Sequence, residues 1–104
     1  MIFQNPDNIG NLHNYTALCD KLRENGVISV INADILSLAI VKPPGEMGAD
    51  IACGNVQRFG LPMAFGGPHP GYFAVKDRFK RKMPGRIIGV SKDADGDVAI
   101  RMTL

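Results

Sequence analysis

Apolar and polar positions change rhythm several times along this chain, and each change marks an element. Met1–Gln4 opens as a short apolar stretch, followed by the turn-rich Asn5-Pro6-Asp7-Asn8-Ile9-Gly10. Leu12, Tyr15, Leu18, Cys19 and Leu22 then recur at the spacing of one helix face. Asn11 offers a side-chain cap at the start of that helix, and Asn25-Gly26 ends it with a residue that tolerates the left-handed conformation. Val27-Ile28-Ser29-Val30-Ile31 is nearly continuous and β-branched, the pattern of a strand buried on both faces. Asp34–Val41 reads as a short helix that Lys42-Pro43-Pro44-Gly45 must end, because proline brings no amide donor.

Beyond the prolines, Asp50–Cys53 reads as a short strand, residues 54–71 as a loop-rich section and Tyr72–Val75 as a further strand. Lys76–Lys82 is a short basic helix on this reading. Arg86–Val90 and Val98–Thr103 alternate as strands around Asp93-Ala94-Asp95-Gly96-Asp97, which predicts a C-terminal β-hairpin. Strand, helix and strand in succession imply an α/β fold, with a mixed sheet, short helices and right-handed crossovers. These short helices are too few to cover a parallel sheet on both sides. The element list therefore predicts one partial domain over residues 1–104, cut from a larger fold, with exposed strand edges that favour self-association.

Composition narrows the class without naming a function. Of the 104 residues 45% are hydrophobic and 21% charged, which excludes a disordered chain, and no apolar run approaches the ~20 residues of a membrane span. Met1-Ile2-Phe3-Gln4-Asn5-Pro6 lacks the basic and apolar regions of a secretory signal. Cys19 and Cys53 have neither metal nor redox spacing, so two free thiols in a reducing compartment are expected, the cytoplasm or a mitochondrial matrix. The net charge of +2 comes with uneven spacing: Lys76, Arg78, Lys80, Arg81, Lys82, Arg86 and Lys92 cluster. Nucleic-acid binding would interleave such charge with stacking aromatics, and only Phe79 lies within the cluster. A solvated helix face, or a surface for an acidic partner, suits it better.

Three features could carry chemistry. Asp34 follows the strongest strand, where open α/β sheets place ligand groups. It could pair with a protonated ring nitrogen of a cofactor, or simply cap the next helix; the cap is the simpler reading. Gly66-Gly67-Pro68-His69-Pro70-Gly71 could bring backbone close to an anion, or be a tight connection and nothing more. His69 has no neighbouring carboxylate or nucleophile in sequence that would give it a proton-transfer role. No nucleophile–base pair, metal cluster or P-loop is present.

Longer stretches go further. Lys42-Pro43-Pro44-Gly45-Glu46-Met47-Gly48-Ala49-Asp50-Ile51 is followed by Gln57-Arg58-Phe59-Gly60-Leu61-Pro62 and Phe65-Gly66-Gly67-Pro68-His69. Met83-Pro84-Gly85-Arg86-Ile87-Ile88-Gly89-Val90-Ser91-Lys92-Asp93 completes the series. In order and spacing these resemble the glycine decarboxylase family, the P-protein of the glycine cleavage system, over essentially the whole chain. The resemblance implies a partial large domain of the fold-type I pyridoxal phosphate (PLP) transferases. In that family two homologous halves form one active unit, as one long chain or as two subunits. The catalytic half carries a ring-nitrogen aspartate and an Asn-Leu-His-Lys motif whose lysine forms the Schiff base. Here Asp34 falls at the aspartate, while Asn55-Val56-Gln57-Arg58 stands at the lysine motif.

Arg58 thus occupies the Schiff-base position, and a guanidinium that stays protonated is a poor amine nucleophile. Lys42 is no replacement on motif grounds. The resemblance implies a piece of the N-terminal, non-catalytic half, with no catalytic residue of its own and no cofactor bound to it alone. Asp34 would be a degenerate cofactor contact, and Gly66, Gly67, Pro68 and His69 loop contacts. Glycine decarboxylation with PLP, and transfer of the aminomethyl group to the lipoyl H-protein, would belong to the whole enzyme. The remaining half and H-protein would be the partners; nucleic acid, membrane and metal are not expected. The alternative is a stand-alone interaction module that docks an acidic partner through the basic segment.

Overall fold

The computed structural model describes residues 1–103, and its elements follow the predicted order with shifted boundaries. Four strands form one sheet in the order β1 (Ile2–Asn5), β2 (Val30–Ala33), β3 (Ile51–Asn55) and β4 (Gly71–Val75). The first three are parallel and β4 runs antiparallel to β3. A separate hairpin pairs β5 (Ile87–Lys92) with β6 (Val98–Thr103). The architecture is therefore mixed α/β, with few short helices and a C-terminal antiparallel hairpin, as the alternation of patterns predicts.

Helix α1 (Thr16–Glu24) lies in the β1–β2 crossover and starts later than its apolar spacing suggests. Asn14, not Asn11, serves its first turn: Asn14 Oδ1 accepts from the Thr16 amide at 3.1 Å and from Thr16 Oγ1 at 2.6 Å. Asn11 is drawn into the preceding turn, its amide donating to Asp7 Oδ1 at 2.9 Å. Gly26 is left-handed at φ +68°, as predicted for the residue after the helix. The Val27 amide still donates to Leu22 O, so chain that reads as strand is spent on leaving the helix. Strand β2 then begins at Val30, and Val27 and Ile28 are exposed.

Among the described residues, only one face of this sheet is covered. Ile31 and Ala33 are buried while Asn32 between them is exposed, which corrects the expectation of a strand buried on both faces. Cys19, Met47 and Ala49 complete the core with them, and Phe3, Tyr15 and Leu38 pack against it. The Cα radius of gyration is 17.0 Å, against about 13 Å for a compact domain of this length. Little apolar surface is removed from water for a chain of this size.

The two remaining predicted helices are 3₁₀ segments, Ile35–Ala39 and Asp77–Lys82, and a third such turn covers Gln57–Phe59. The basic segment is also not a uniformly solvated face. Asp50 is 3% exposed, and its Oδ1 accepts from Lys76 Nζ at 3.0 Å and from Arg78 Nη2 at 2.7 Å. Its Oδ2 accepts from the Ser29 amide at 3.0 Å. Burial alone would push this carboxyl up, but the Ser29 amide and the Lys76 and Arg78 charges outweigh it and hold the pKa at about 2. The cluster clamps β3 and the segment after β4 to the start of β2. Among the described residues, no helix is long and apolar enough to cross a membrane.

Candidate functional site

The carboxyl ends of parallel strands are where open α/β sheets build ligand sites, and this chain has a cavity there. Its volume is about 370 Å³, and β1, β2 and β3 supply Gln4, Asn32, Ala33, Gly54 and Asn55 to its lining. Asp34, Arg58 and the turn residue Asp7 bring the charge.

Asp34 leaves the end of β2 with its amide donating to Asn5 O at 2.9 Å, which ties it to β1. Its Oδ1 accepts from the Leu36 amide at 3.1 Å and caps the 3₁₀ turn, as the simpler sequence reading holds. Its Oδ2 lies 2.9 Å from Arg58 Nε, as an ion pair. Both carboxylate oxygens are therefore engaged by this chain. Arg58 reaches Asp34 because the turn after β3 is closed twice. Asn55 Oδ1 accepts from the Gln57 amide at 3.2 Å, and Gly60 turns left-handed at φ +88°. The Asp34 carboxylate is only 19% exposed and the Arg58 side chain 60%, so the pair is a half-solvated ion bridge. Such a pair contributes at most about 1 kcal/mol; its consequence is positional.

Behind the pair, Tyr72 on β4 crosses β3 at Gly54 and donates its hydroxyl to Ala33 O at 2.7 Å. Burial raises the Tyr72 pKa, so the hydroxyl stays a donor at neutral pH. A Cβ at Gly54 would lie 2.6 Å from the Tyr72 ring, so glycine is what lets the ring lie across β3. At the rim, Asp7 Oδ2 and His13 Nε2 are 2.8 Å apart, and Asp7 Oδ1 accepts from the Ile9 and Asn11 amides. The hydrogen bond from His13, with that from the Asn11 amide, holds the Asp7 carboxyl well below the usual carboxylate range.

The structure thus brings together Asp34 and Arg58 from the sequence-predicted set, and adds Asp7, His13, Gly54 and Tyr72. Only the Asp7-Asn8-Ile9-Gly10 turn signal pointed to any of the added four. Gly66, Gly67, Pro68 and His69 lie in the connection between the Gln57–Phe59 turn and β4, outside the cavity lining. Phe65, Gly66 and Gly67 there all have positive φ, and His69 is exposed. Lys42 is exposed after the Ile35–Ala39 turn and does not line the cavity either. Chemically the cavity offers two carboxylates, one guanidinium and strand-end amides; among the described residues no lysine amine lines it.

Comparison with known proteins identifies the family. The family model described as "Glycine cleavage system P-protein" matches residues 1–104. Glycine dehydrogenase (decarboxylating) of Rhizobium etli (strain CIAT 652) is 56% identical over 103 residues, 99% of this chain and 11% of that protein. The protein of the same name from Idiomarina loihiensis is 53% identical over the same shares. The crystal structure of glycine decarboxylase (P-protein) of the glycine cleavage system, in inhibitor-bound form, superposes with a TM-score of 0.89 at 43% identity. That match covers 99% of this chain and 24% of the solved one. The chain thus spans about a tenth of the length of the curated relatives it matches and about a quarter of the solved chain. On the family match along its whole length, the chain belongs to the glycine cleavage system P-protein family.

Proposed function

We propose that residues 1–104 are a structural piece of the non-catalytic half of a glycine dehydrogenase (decarboxylating), and that the chemistry of the enzyme lies elsewhere in the longer protein. The observation that carries this reading is the 2.9 Å Arg58–Asp34 ion pair at the strand ends. PLP, when bound, supplies an electron sink for carbanion chemistry. It needs an amine nucleophile to anchor it and a carboxylate free to meet its ring nitrogen. The residues here do not fit that group: Arg58 has no such amine, and both Asp34 oxygens are taken by Leu36 and Arg58. Asp34 is the degenerate counterpart of a cofactor contact, neutralised from within.

On this reading the segment contributes shape and contact surface. The loop holding Gly66, Gly67, Pro68 and His69 faces outward and is proposed as part of the wall that the catalytic half meets. The remaining half and the lipoyl H-protein are the proposed partners, in a bacterial cytoplasm or a mitochondrial matrix. The interaction-module alternative loses force, because Lys76 and Arg78 are turned onto Asp50 and Lys80 onto Asp77. Arg81, Lys82, Arg86 and Lys92 remain exposed for an acidic partner.

The test is reductive trapping. With the full-length protein, PLP and borohydride, the pyridoxyl mass is expected on a lysine outside residues 1–104 and on none within them. An adduct on one specific lysine of this segment would overturn the reading. Arg58→Lys is also expected to gain no adduct at position 58. A lysine beside Asp34 would inherit the ion pair and stay protonated, which removes its nucleophilicity.

A further inference from the structure

The hairpin carries an apolar face that nothing in residues 1–103 covers. Its register sets Ile88 opposite Met102, Val90 opposite Ile100 and Lys92 opposite Val98. Strand alternation places these on one side, with Gly89, Ser91, Ala99 and Arg101 on the other. The five apolar residues of that face are between 60% and 80% exposed. A two-stranded ribbon is marginal in water by itself, and an apolar sheet face is stable only against another layer.

We infer that this face is an interior surface of the complete P-protein, covered by an apolar segment of the same polypeptide outside residues 1–104. The inference rests on the reading of this chain as part of the longer enzyme, and it identifies where the remainder docks. Two facts choose this occupant over a second copy of the chain. The first is size. Two six-residue strands present a face of roughly 20 by 10 Å, far below the ~800 Å² that each partner of a stable complex contributes. A tethered segment needs no such area, because its effective concentration is set by the covalent connection. The second is available chain: the segment accounts for 11% of a curated relative, so most of the polypeptide lies outside it. The hairpin also falls within the 99% of this chain that superposes on the longer solved protein.

Hydroxyl-radical footprinting of the full-length protein, read by peptide mass, tests this without any substitution. Val90, Val98, Ile100 and Met102 are expected to be labelled at least about tenfold more slowly in the native protein than in the same protein unfolded in urea. The turn residues Asp93–Asp97 should be labelled at the unfolded rate in both and serve as the reference. Labelling of the four apolar residues within twofold of the unfolded rate would overturn the inference. Protection that appears only as protein concentration rises would also overturn it, in favour of a second copy. The footprint is independent of the trapping experiment: a pyridoxyl adduct within residues 1–104 would refute the non-catalytic reading while leaving this protection intact.

Discussion

Gly54→Ala is expected to destabilise the chain by about 2–4 kcal/mol, a large part of the ~5–15 kcal/mol that a folded domain holds. The added Cβ would stand 2.4 Å from Ala33 O and 2.6 Å from the Tyr72 ring. Neither neighbour can yield cheaply. Ala33 ends β2, whose register is shared with β1, so moving its carbonyl disturbs two strand pairs. Moving Tyr72 breaks its 2.7 Å hydrogen bond to Ala33 O. Urea unfolding followed by circular dichroism reads the effect as a lower midpoint. Tyr72→Phe separates the two causes, since it removes only the hydroxyl and should cost about 1 kcal/mol. If Gly54→Ala unfolds at the parent midpoint, the ring does not lie over β3 as described.

The second large effect is expected at Asp50. Asp50→Asn should cost about 3 kcal/mol, because it leaves Lys76 and Arg78 facing a neutral, buried amide. Arg78→Gln should cost far less, since the Arg78 side chain is 58% exposed and Lys76 would still neutralise the carboxylate. The Asp50 carboxylate also makes stability depend on acid. Its folded pKa of about 2 lies below the ~3.9 of an unfolded aspartate. Its contribution is therefore complete above the unfolded value and disappears as pH falls from about 4 to 2. Urea midpoints measured at several pH values should fall across that window for the parent chain and much less for Asp50→Asn. Asp7, also depressed, keeps a residual slope in the variant. Equal slopes in the two proteins would show that Asp50 is not held by its cations.

These two residues also show what the sequence could not display. Gly54 reads as the end of a strand and the start of a loop; the ring that excludes a side chain there comes from β4. Asp50 reads as the first residue of a short strand, and its cations read as part of a solvated run. The contacts join residues 26 and 28 positions apart, and only the antiparallel β3–β4 register sets them face to face. Arg58 was legible as a departure from a lysine motif, and Asp34 as a helix cap. That they are each other's partner was not legible, because the bond depends on how the β3 turn is closed over the end of β2.

By itself the sequence determined what short-range physics governs. The hairpin is where alternation places it, because Asp93 Oδ1 accepts from the Asp95 and Asp97 amides and Gly96 takes φ +90° within the turn itself. The Asp34 cap and the glycine after α1 are likewise settled by neighbours in the chain. The order of elements and the family motifs also need no tertiary contact to be read. Tertiary structure decided the start of β2, the covering of the sheet on one face only, the Asp50 cluster and the Arg58–Asp34 closure of the cavity. Each of these depends on strand register and on which layer is present to remove a face from water. Residue patterns record that a face is apolar, but not what covers it, since the hydrophobic effect favours burial without specifying a partner.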